Sequence, residues 1–175
     1  MKNYIRSRRE EIIATLAELL AAQADRLRGV NSWGPDAIER LGNYVNGGKM
    51  IRGALVFVGE ELFREPLSSK SAQIGAAMEL LQAFLLIHDD IMDRDDLRRG
   101  HASMHAQYRG VATERSGELH LERGDADHLG EAMAVCVGDI SAFLSFELVS
   151  EVDLPDRIRA SMLRLLSREI VSVGV

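Results

Sequence analysis

The stretch "GAAMELLQAFLLIHDDIMDRDDLRRG", residues 75–100, decides the fold of this 175-residue chain. It begins with small residues, continues with bulky apolar ones and then carries five aspartates between residues 89 and 96. The apolar pattern predicts one long helix over residues 69–93. Small side chains let neighbouring helices approach closely, so we expect this helix to lie at the centre of the fold.

The aspartates at the end of this helix repel one another unless something neutralises them. Asp89 and Asp93 are four residues apart and share one helix face, whereas Asp90 lies about 100° round the helix. The negative end of the helix dipole disfavours anions there as well. Two explanations stay open at this point: ion pairs with the neighbouring arginines on a solvated surface, or a hard divalent cation such as Mg²⁺.

A second unusual segment is "GGKMIR", residues 47–52. Glycines free the backbone, and Lys49 and Arg52 stand three residues apart, on one side of a helix that starts there. Taken alone, the segment is typical of a helix break with two solvated cations. Together with an acidic, metal-binding cluster it favours a site for a diphosphate, because metal ions and direct basic contacts are complementary ways to hold one.

The remaining sequence predicts an all-α fold. Helical patterns cover residues 4–28, a segment from Pro35 to about Val45, and residues 49–63 and 129–150, and a last helix follows residue 153. Residues 64–69 read as a turn and 109–128 mainly as a loop, and no segment alternates as a strand does. Residues 129–150 are apolar nearly all round, which predicts an interior helix. The last helix ends without a cap, which predicts a bundle incomplete at the C-terminus.

Composition excludes several classes of protein. The net charge is −6 and the basic residues are scattered, which disfavours a nucleic-acid partner. Cys136 is the only cysteine, so we expect no intrachain disulfide, a reducing cytoplasmic location and a small buried side chain at this position. The apolar stretch "MELLQAFLLI" falls short of the roughly 20 residues that a membrane span requires. The basic N-terminus lacks the apolar core of a signal peptide.

Three segments in this order resemble one family: "GGKMIR", the stretch 75–100, and "GEAMAVCVGD". They are similar to the N-terminal half of trans-polyprenyl diphosphate synthases, which make farnesyl and geranylgeranyl diphosphate. The resemblance implies an isoprenoid-synthase helical bundle around a deep apolar cavity with Mg²⁺ at its mouth. Residues 1–175 would be a single, partial domain of this type. The family usually forms homodimers.

The resemblance also implies roles for individual residues. Asp89 and Asp93, helped by Asp90, would hold Mg²⁺ on the diphosphate of an allylic substrate, and Arg98 would contact the same group. The residues that would hold isopentenyl diphosphate are Gly48, Lys49, Arg52, Gln82 and Arg99.

Two residues of the same helix bear on product length. Phe84, five before Asp89, is aromatic, whereas Leu85, four before, is not. This pattern resembles geranylgeranyl synthases more than farnesyl synthases, which carry two adjacent aromatic residues here.

One departure from the family limits the prediction. Members are nearly twice as long and carry a second aspartate-rich motif, for which no counterpart follows "VGD". We therefore expect these 175 residues alone to transfer prenyl groups negligibly. A non-catalytic homologue or accessory subunit of a prenyl synthase is the alternative. A class I terpene cyclase also uses an aspartate-rich motif, but it binds no second diphosphate and has no need of the lysine–arginine turn.

Overall fold

The computed structural model describes residues 2–63, 69–122 and 124–173. Within these ranges the fold is all-α, as predicted, with a single two-stranded hairpin. The elements are α1 (Lys2–Arg28), α2 (Trp33–Asn46), α3 (Ile51–Phe63), α4 (Ser69–Asp93), β1 (Leu97–Arg98), β2 (His101–Ala102), α5 (Met104–Glu114), α6 (Asp125–Glu151) and α7 (Asp156–Val173).

The chain divides into two compact units, each assembled from separate segments. The first comprises Met1–Leu16, Lys49–Leu80 and Phe143–Val175, and the second Ala17–Gly48 and Leu81–Ala142. Helices α1, α4 and α6 each contribute to both units. The prediction of a single domain stays a prediction.

Each unit has its own apolar core. In the first unit it includes Ile12, Phe57, Ala76, Leu80 and Val149, and in the second Leu41, Ile87, Met104, Tyr108 and Val137.

Helix α4 carries the small residues that the sequence analysis placed at the centre of the fold. In the first unit Gly75 lies close to Gly53 of α3: a Cβ added at Gly53 would come within 2.9 Å of the Gly75 carbonyl oxygen. Ala76 and Ala77, next along α4, are fully buried. The helix spans residues 69–93 as predicted, because the apolar period is unbroken up to the aspartates.

Two local predictions are wrong. Residues 109–114, predicted as loop, complete α5, and residues 125–128 begin α6. Polar residues do not stop a helix when one side is buried, and Tyr108 and Ala112 of α5 are buried. The sequence also predicted no strand, but β1 and β2 form a hairpin of two residues each. A strand that short has no periodicity to detect.

Helix α6 is less interior than predicted. Cys136 is exposed rather than buried, Val135 is 40% exposed and Phe143 is 73% exposed. The sequence of residues 129–150 is apolar nearly all round the helix, but the buried residues lie along one side of it in the structure. By length and composition α6 is also the one described helix able to cross a membrane, with 44% of its most apolar window buried. Core helices of soluble proteins pass the same test, so the prediction that the chain has no span stays a prediction.

Two further segments qualify the sequence predictions. The predicted turn at residues 64–69 lies almost wholly outside the described residues, since 64–68 are not described. Helix α7 forms as predicted, and none of its residues is buried. Its exposed apolar side chains include Ile158, Leu165 and Val171.

Candidate diphosphate and metal site

A short hairpin after α4 presents two consecutive arginines. Leu97 pairs with Ala102 and Arg98 with His101, so Arg99 and Gly100 form a two-residue turn. Both turn residues have positive φ, 55° at Arg99 and 82° at Gly100, as in the type I′ turns that match the twist of a hairpin. Glycine accepts this conformation freely, whereas an arginine in it is strained. The side chain of Arg99 therefore stands at the tip of the hairpin.

Arg98 is held by a buried aspartate. Its Nε and Nη2 both lie 2.5 Å from Oδ1 of Asp90, and Nη2 lies 3.4 Å from Oδ2 of Asp89. Asp90 has no solvent exposure, and its other oxygen accepts a 3.0 Å hydrogen bond from the Tyr44 hydroxyl. Burial alone lowers the pKa of Arg98, but the hydrogen bond and charge of Asp90 raise it overall. Both oxygens of Asp90 are thus occupied by protein donors.

The other two aspartates of the motif face solvent. Asp89 is half exposed and its one described contact is the 3.4 Å approach of Arg98, while Asp93 is exposed one helical turn further on. Mg²⁺ typically takes one or two carboxylates and completes its shell with water and phosphate oxygens. Among the described residues no group of three or more potential protein ligands forms. The two carboxylates of Asp89 and Asp93 are therefore suited to a metal ion whose other ligands come from water and a phosphorylated ligand.

The glycine turn contributes space rather than hydrogen-bond donors. The N–H of Gly47 donates to the Asn43 carbonyl oxygen, and the N–H of Gly48 to that of Val45 at 3.0 Å. A Cβ added at Gly48 would lie 3.3 Å from Nη1 of Arg99. The glycines thus let the Arg99 guanidinium approach the end of α2.

The helix after this turn starts later than predicted. Met50 has φ 52° and is buried, and α3 begins at Ile51 rather than residue 49. Lys49 and Arg52, which flank this point, are exposed side chains of the first unit.

The remaining predicted residues lie on α4. Gln82, Phe84 and Leu85 are partly exposed residues of the second unit. The Phe84 ring packs edge-on against His88, with ring centres 4.7 Å apart. His88 lies 3.6 Å from the Asp139 carboxylate.

The arginine hairpin borders a cleft of about 490 Å³ in the second unit. Both arginines line it. Gly47 of the glycine turn lines it as well. The other lining residues could not be predicted from the sequence, because they occupy unremarkable positions of α2, β2 and α5; they are Asn43, Tyr44, His101, Ala102 and Gln107. A cleft with two guanidinium groups and adjacent carboxylates suits an anionic ligand that carries a metal ion.

The base of the hairpin is tied to α5. The Ser103 N–H donates to the Asp96 carbonyl oxygen at 2.9 Å, and the Asp96 carboxylate accepts from Nη2 of Arg109 at 2.8 Å. Nε2 of the buried His105 lies 3.4 Å from the same carboxylate. The hydrogen bond from Arg109 lowers the pKa of Asp96. These contacts fix the position from which Arg98 and Arg99 project.

Comparison with known proteins agrees with this geometry. The model of the family described as Polyprenyl synthetase matches residues 35–174, which include every predicted site residue. This chain belongs to that family. Its core fold is also that of a geranylgeranyl pyrophosphate synthase from Corynebacterium glutamicum, crystallised with isoprenyl diphosphate and magnesium. The TM-score is 0.73 at 24% identity, over 89% of this chain and 43% of that one.

Curated members of the family differ in product. A farnesyl diphosphate synthase of Escherichia coli is 34% identical over 69% of this chain and 35% of its own length. A geranylgeranyl diphosphate synthase of Methanosarcina mazei is 30% identical over 85% of this chain and 37% of its own. The chain thus spans well under half the length of these relatives.

Proposed function

We propose that this polyprenyl synthetase chain provides the first diphosphate-binding and metal-binding portion of a prenyltransferase. The reaction would join isopentenyl diphosphate to an allylic prenyl diphosphate. The observation that carries the proposal is the arrangement of Arg98 between the Asp89–Asp90 pair and a cleft that Arg99 also lines. It combines cations for a diphosphate with the solvent-facing carboxylate of Asp89 for its metal ion.

In this proposal Asp89 and Asp93 hold Mg²⁺, which would neutralise charge on the departing allylic diphosphate. Arg98 contacts the same diphosphate from a fixed position, because its Nε side is engaged by buried Asp90. A guanidinium fixed in advance stabilises developing charge without having to reorganise during the reaction.

The second substrate would be held by a different set of residues. Arg99, which stands against the glycine turn, would bind isopentenyl diphosphate. The accompanying residues would be Gly48, Lys49, Arg52 and Gln82. Two distinct basic groups are what a reaction between two diphosphates requires, and this supports a synthase over a terpene cyclase.

We further propose a geranylgeranyl-type product. Phe84, five residues before Asp89, is aromatic, whereas Leu85, four residues before it, is not. A second aromatic side chain at residue 85 would shorten the pocket. The apolar part of α4 would shield the allylic cation from water. Relatives named as farnesyl and as geranylgeranyl synthases match about equally well, so product analysis has to decide between these lengths.

We expect these 175 residues on their own to bind diphosphate with Mg²⁺ but to transfer prenyl groups negligibly. The described residues contain one exposed aspartate pair of the motif type, and the chain spans only 35% to 37% of the two relatives above. The same two observations, one aspartate pair and a chain much shorter than its relatives, favour a second candidate function. In that case the chain would be an accessory subunit that binds a partner synthase. A homodimer is the assembly that we propose for the synthase.

The test is incubation of the chain with Mg²⁺, labelled isopentenyl diphosphate and allylic primers of several lengths, beside calorimetric titration with inorganic pyrophosphate. We expect Mg²⁺-dependent pyrophosphate binding that Arg98→Gln and Arg99→Gln each weaken. Binding that both variants leave intact would refute the diphosphate site. The transfer assay shows whether the isolated chain is active and, if so, what length of product it makes.

A further inference from the structure

Tyr44 reaches the acidic motif from a helix that contains no other residue of the predicted site. It lies on α2, 46 residues before Asp90, and its hydroxyl donates to Oδ2 of Asp90 at 3.0 Å. Its ring also lines the cleft beside Arg98 and Arg99. Nothing in the local pattern of α2 marks this tyrosine.

The Arg98 guanidinium is hydrogen-bonded to the protein along one edge only. Its Nε and Nη2 groups are engaged by Asp90 and Asp89. Among the described residues no acceptor contacts Nη1, and Arg98 lines the cleft. A guanidinium is a rigid planar fork, so fixing its Nε edge also fixes the direction of Nη1.

We propose that Tyr44 is a positioning residue for diphosphate binding: its hydroxyl orients the Asp90 carboxylate, which in turn aims Nη1 of Arg98 into the cleft. The inference rests on the proposed function for the identity of the ligand. It assigns Tyr44 no contact with the reacting atoms.

Burial explains why one hydroxyl has this effect. Asp90 has no exposure to water, so each of its oxygens depends on a protein donor. Without the hydroxyl, Oδ2 would be unsatisfied and the carboxylate would rotate to share Arg98 between its two oxygens. Burial, reinforced by the charge of Asp90, raises the pKa of Tyr44, so the hydroxyl keeps the proton that it donates.

A double-mutant cycle tests the inference in the 175-residue chain, with inorganic pyrophosphate and Mg²⁺ as the probe in calorimetry. Tyr44→Phe should weaken pyrophosphate binding about tenfold, the lower end of what loss of one hydrogen bond to a charged group costs. In an Arg98→Gln background the same substitution should have no further effect. Losses that simply add would overturn the inference, as would full affinity in Tyr44→Phe when Arg98→Gln does weaken binding.

The matched control is Tyr108→Phe. It removes a hydroxyl from a more buried tyrosine of the same unit, which packs against Arg40 and does not line the cleft. We expect it to leave pyrophosphate binding unchanged. An equal loss in both variants would identify a general effect on folding and would overturn the positioning role.

A measurement without ligand separates this inference from the proposed function. The Nε–H resonance of Arg98, assigned by its loss in Arg98→Gln, should exchange slowly with solvent and become faster in Tyr44→Phe but not in Tyr108→Phe. An unchanged exchange rate in Tyr44→Phe overturns the inference. A faster rate, with pyrophosphate binding unaffected even by Arg98→Gln, supports the positioning by Tyr44 and refutes the proposed ligand.

Discussion

At the scale of single residues, Asp89 and Asp90 are chain neighbours with opposite surroundings. Asp89 is half exposed, whereas Asp90 is fully buried, with donors on both oxygens. A carboxylate engaged in this way has no oxygen directed at a metal ion. The sequence placed Asp90 about 100° away from the other two, and the structure adds a reason for that offset. We therefore expect its substitution to act through Arg98.

Substitutions of the individual aspartates should consequently have different effects when pyrophosphate binding is measured over a range of Mg²⁺ concentrations. Asp93→Asn should raise the Mg²⁺ concentration at half-saturation by at least about tenfold, since even outer-shell partners of metal ligands have effects of that order. Asp90→Asn should weaken pyrophosphate binding without raising that concentration. Asp95→Asn is the control, because Asp95 is an exposed aspartate of the same run outside the proposed site. A shift in Asp95→Asn equal to that in Asp93→Asn would contradict a specific metal role for Asp93.

Asp96 gives a prediction for acid conditions. The Arg109 hydrogen bond lowers the pKa of Asp96, so its carboxyl resonance should titrate below the ordinary value of about 4. Because the folded state binds this proton more weakly than the unfolded chain, the pair stabilises the fold above the unfolded pKa. That contribution is lost as the pH falls through the folded value.

Carboxyl NMR measures this midpoint directly. Arg109→Gln should move it up towards the ordinary value. Arg115→Gln, at an exposed arginine that pairs with Glu118 in the same unit, should leave it in place. An unmoved midpoint in Arg109→Gln would show that another group sets the pKa of Asp96.

At the scale of elements, helices were predictable where the pattern was long and the breaks were marked. Helix α4 has the predicted bounds, and α2 contains Pro35 in its first turn as expected. Patterns fail where a property depends on a distant partner. Nothing in the sequence around Tyr44 indicates that its hydroxyl bonds to Asp90. Cys136 lies on an apolar helix, but on a side of that helix that is exposed to solvent. The hairpin was not predicted, because strands of two residues are too short to show an alternating pattern.

The close approach of α3 to α4 can be tested with two glycines of one helix. A Cβ at Gly53 would lie 2.6 Å from Cδ1 of Ile12 and 2.9 Å from the Gly75 carbonyl oxygen. Gly53→Ala should therefore lower the free energy of unfolding, by about 1–3 kcal/mol as for other overpacked sites. Urea denaturation measures the change.

Gly59 of the same helix is the matched control. A Cβ there would meet nothing within 4 Å, so Gly59→Ala should stabilise the protein by about 0.5–1 kcal/mol through helix propensity. If Gly53→Ala were as stabilising as Gly59→Ala, the backbone approach of the two helices would be wrong.

At the scale of the whole molecule, the two compact units raise the question of cooperativity. Each unit is made of separate chain segments, and three helices, α1, α4 and α6, continue from one into the other. A helix propagates cooperatively along its length, so melting one half of α4 exposes the end of the other half. We therefore infer that the units do not unfold separately, although each has its own core.

The only tryptophan, Trp33, provides a probe of the second unit alone. Its ring lies 6.2 Å from that of Tyr108, so its fluorescence should change when this unit unfolds. Far-UV circular dichroism follows the helices of both units. We expect the two signals to give one urea midpoint for the unsubstituted chain, as a two-state transition does.

Gly53→Ala makes this test decisive, because Gly53 belongs to the first unit. If unfolding is cooperative, the substitution should lower the midpoint seen by Trp33 fluorescence as much as the midpoint seen by circular dichroism. Gly59→Ala, also in the first unit, should raise both together. A Trp33 midpoint that stays fixed while the dichroism midpoint moves would mean that the two units unfold independently, and the prediction of a single domain would then be wrong.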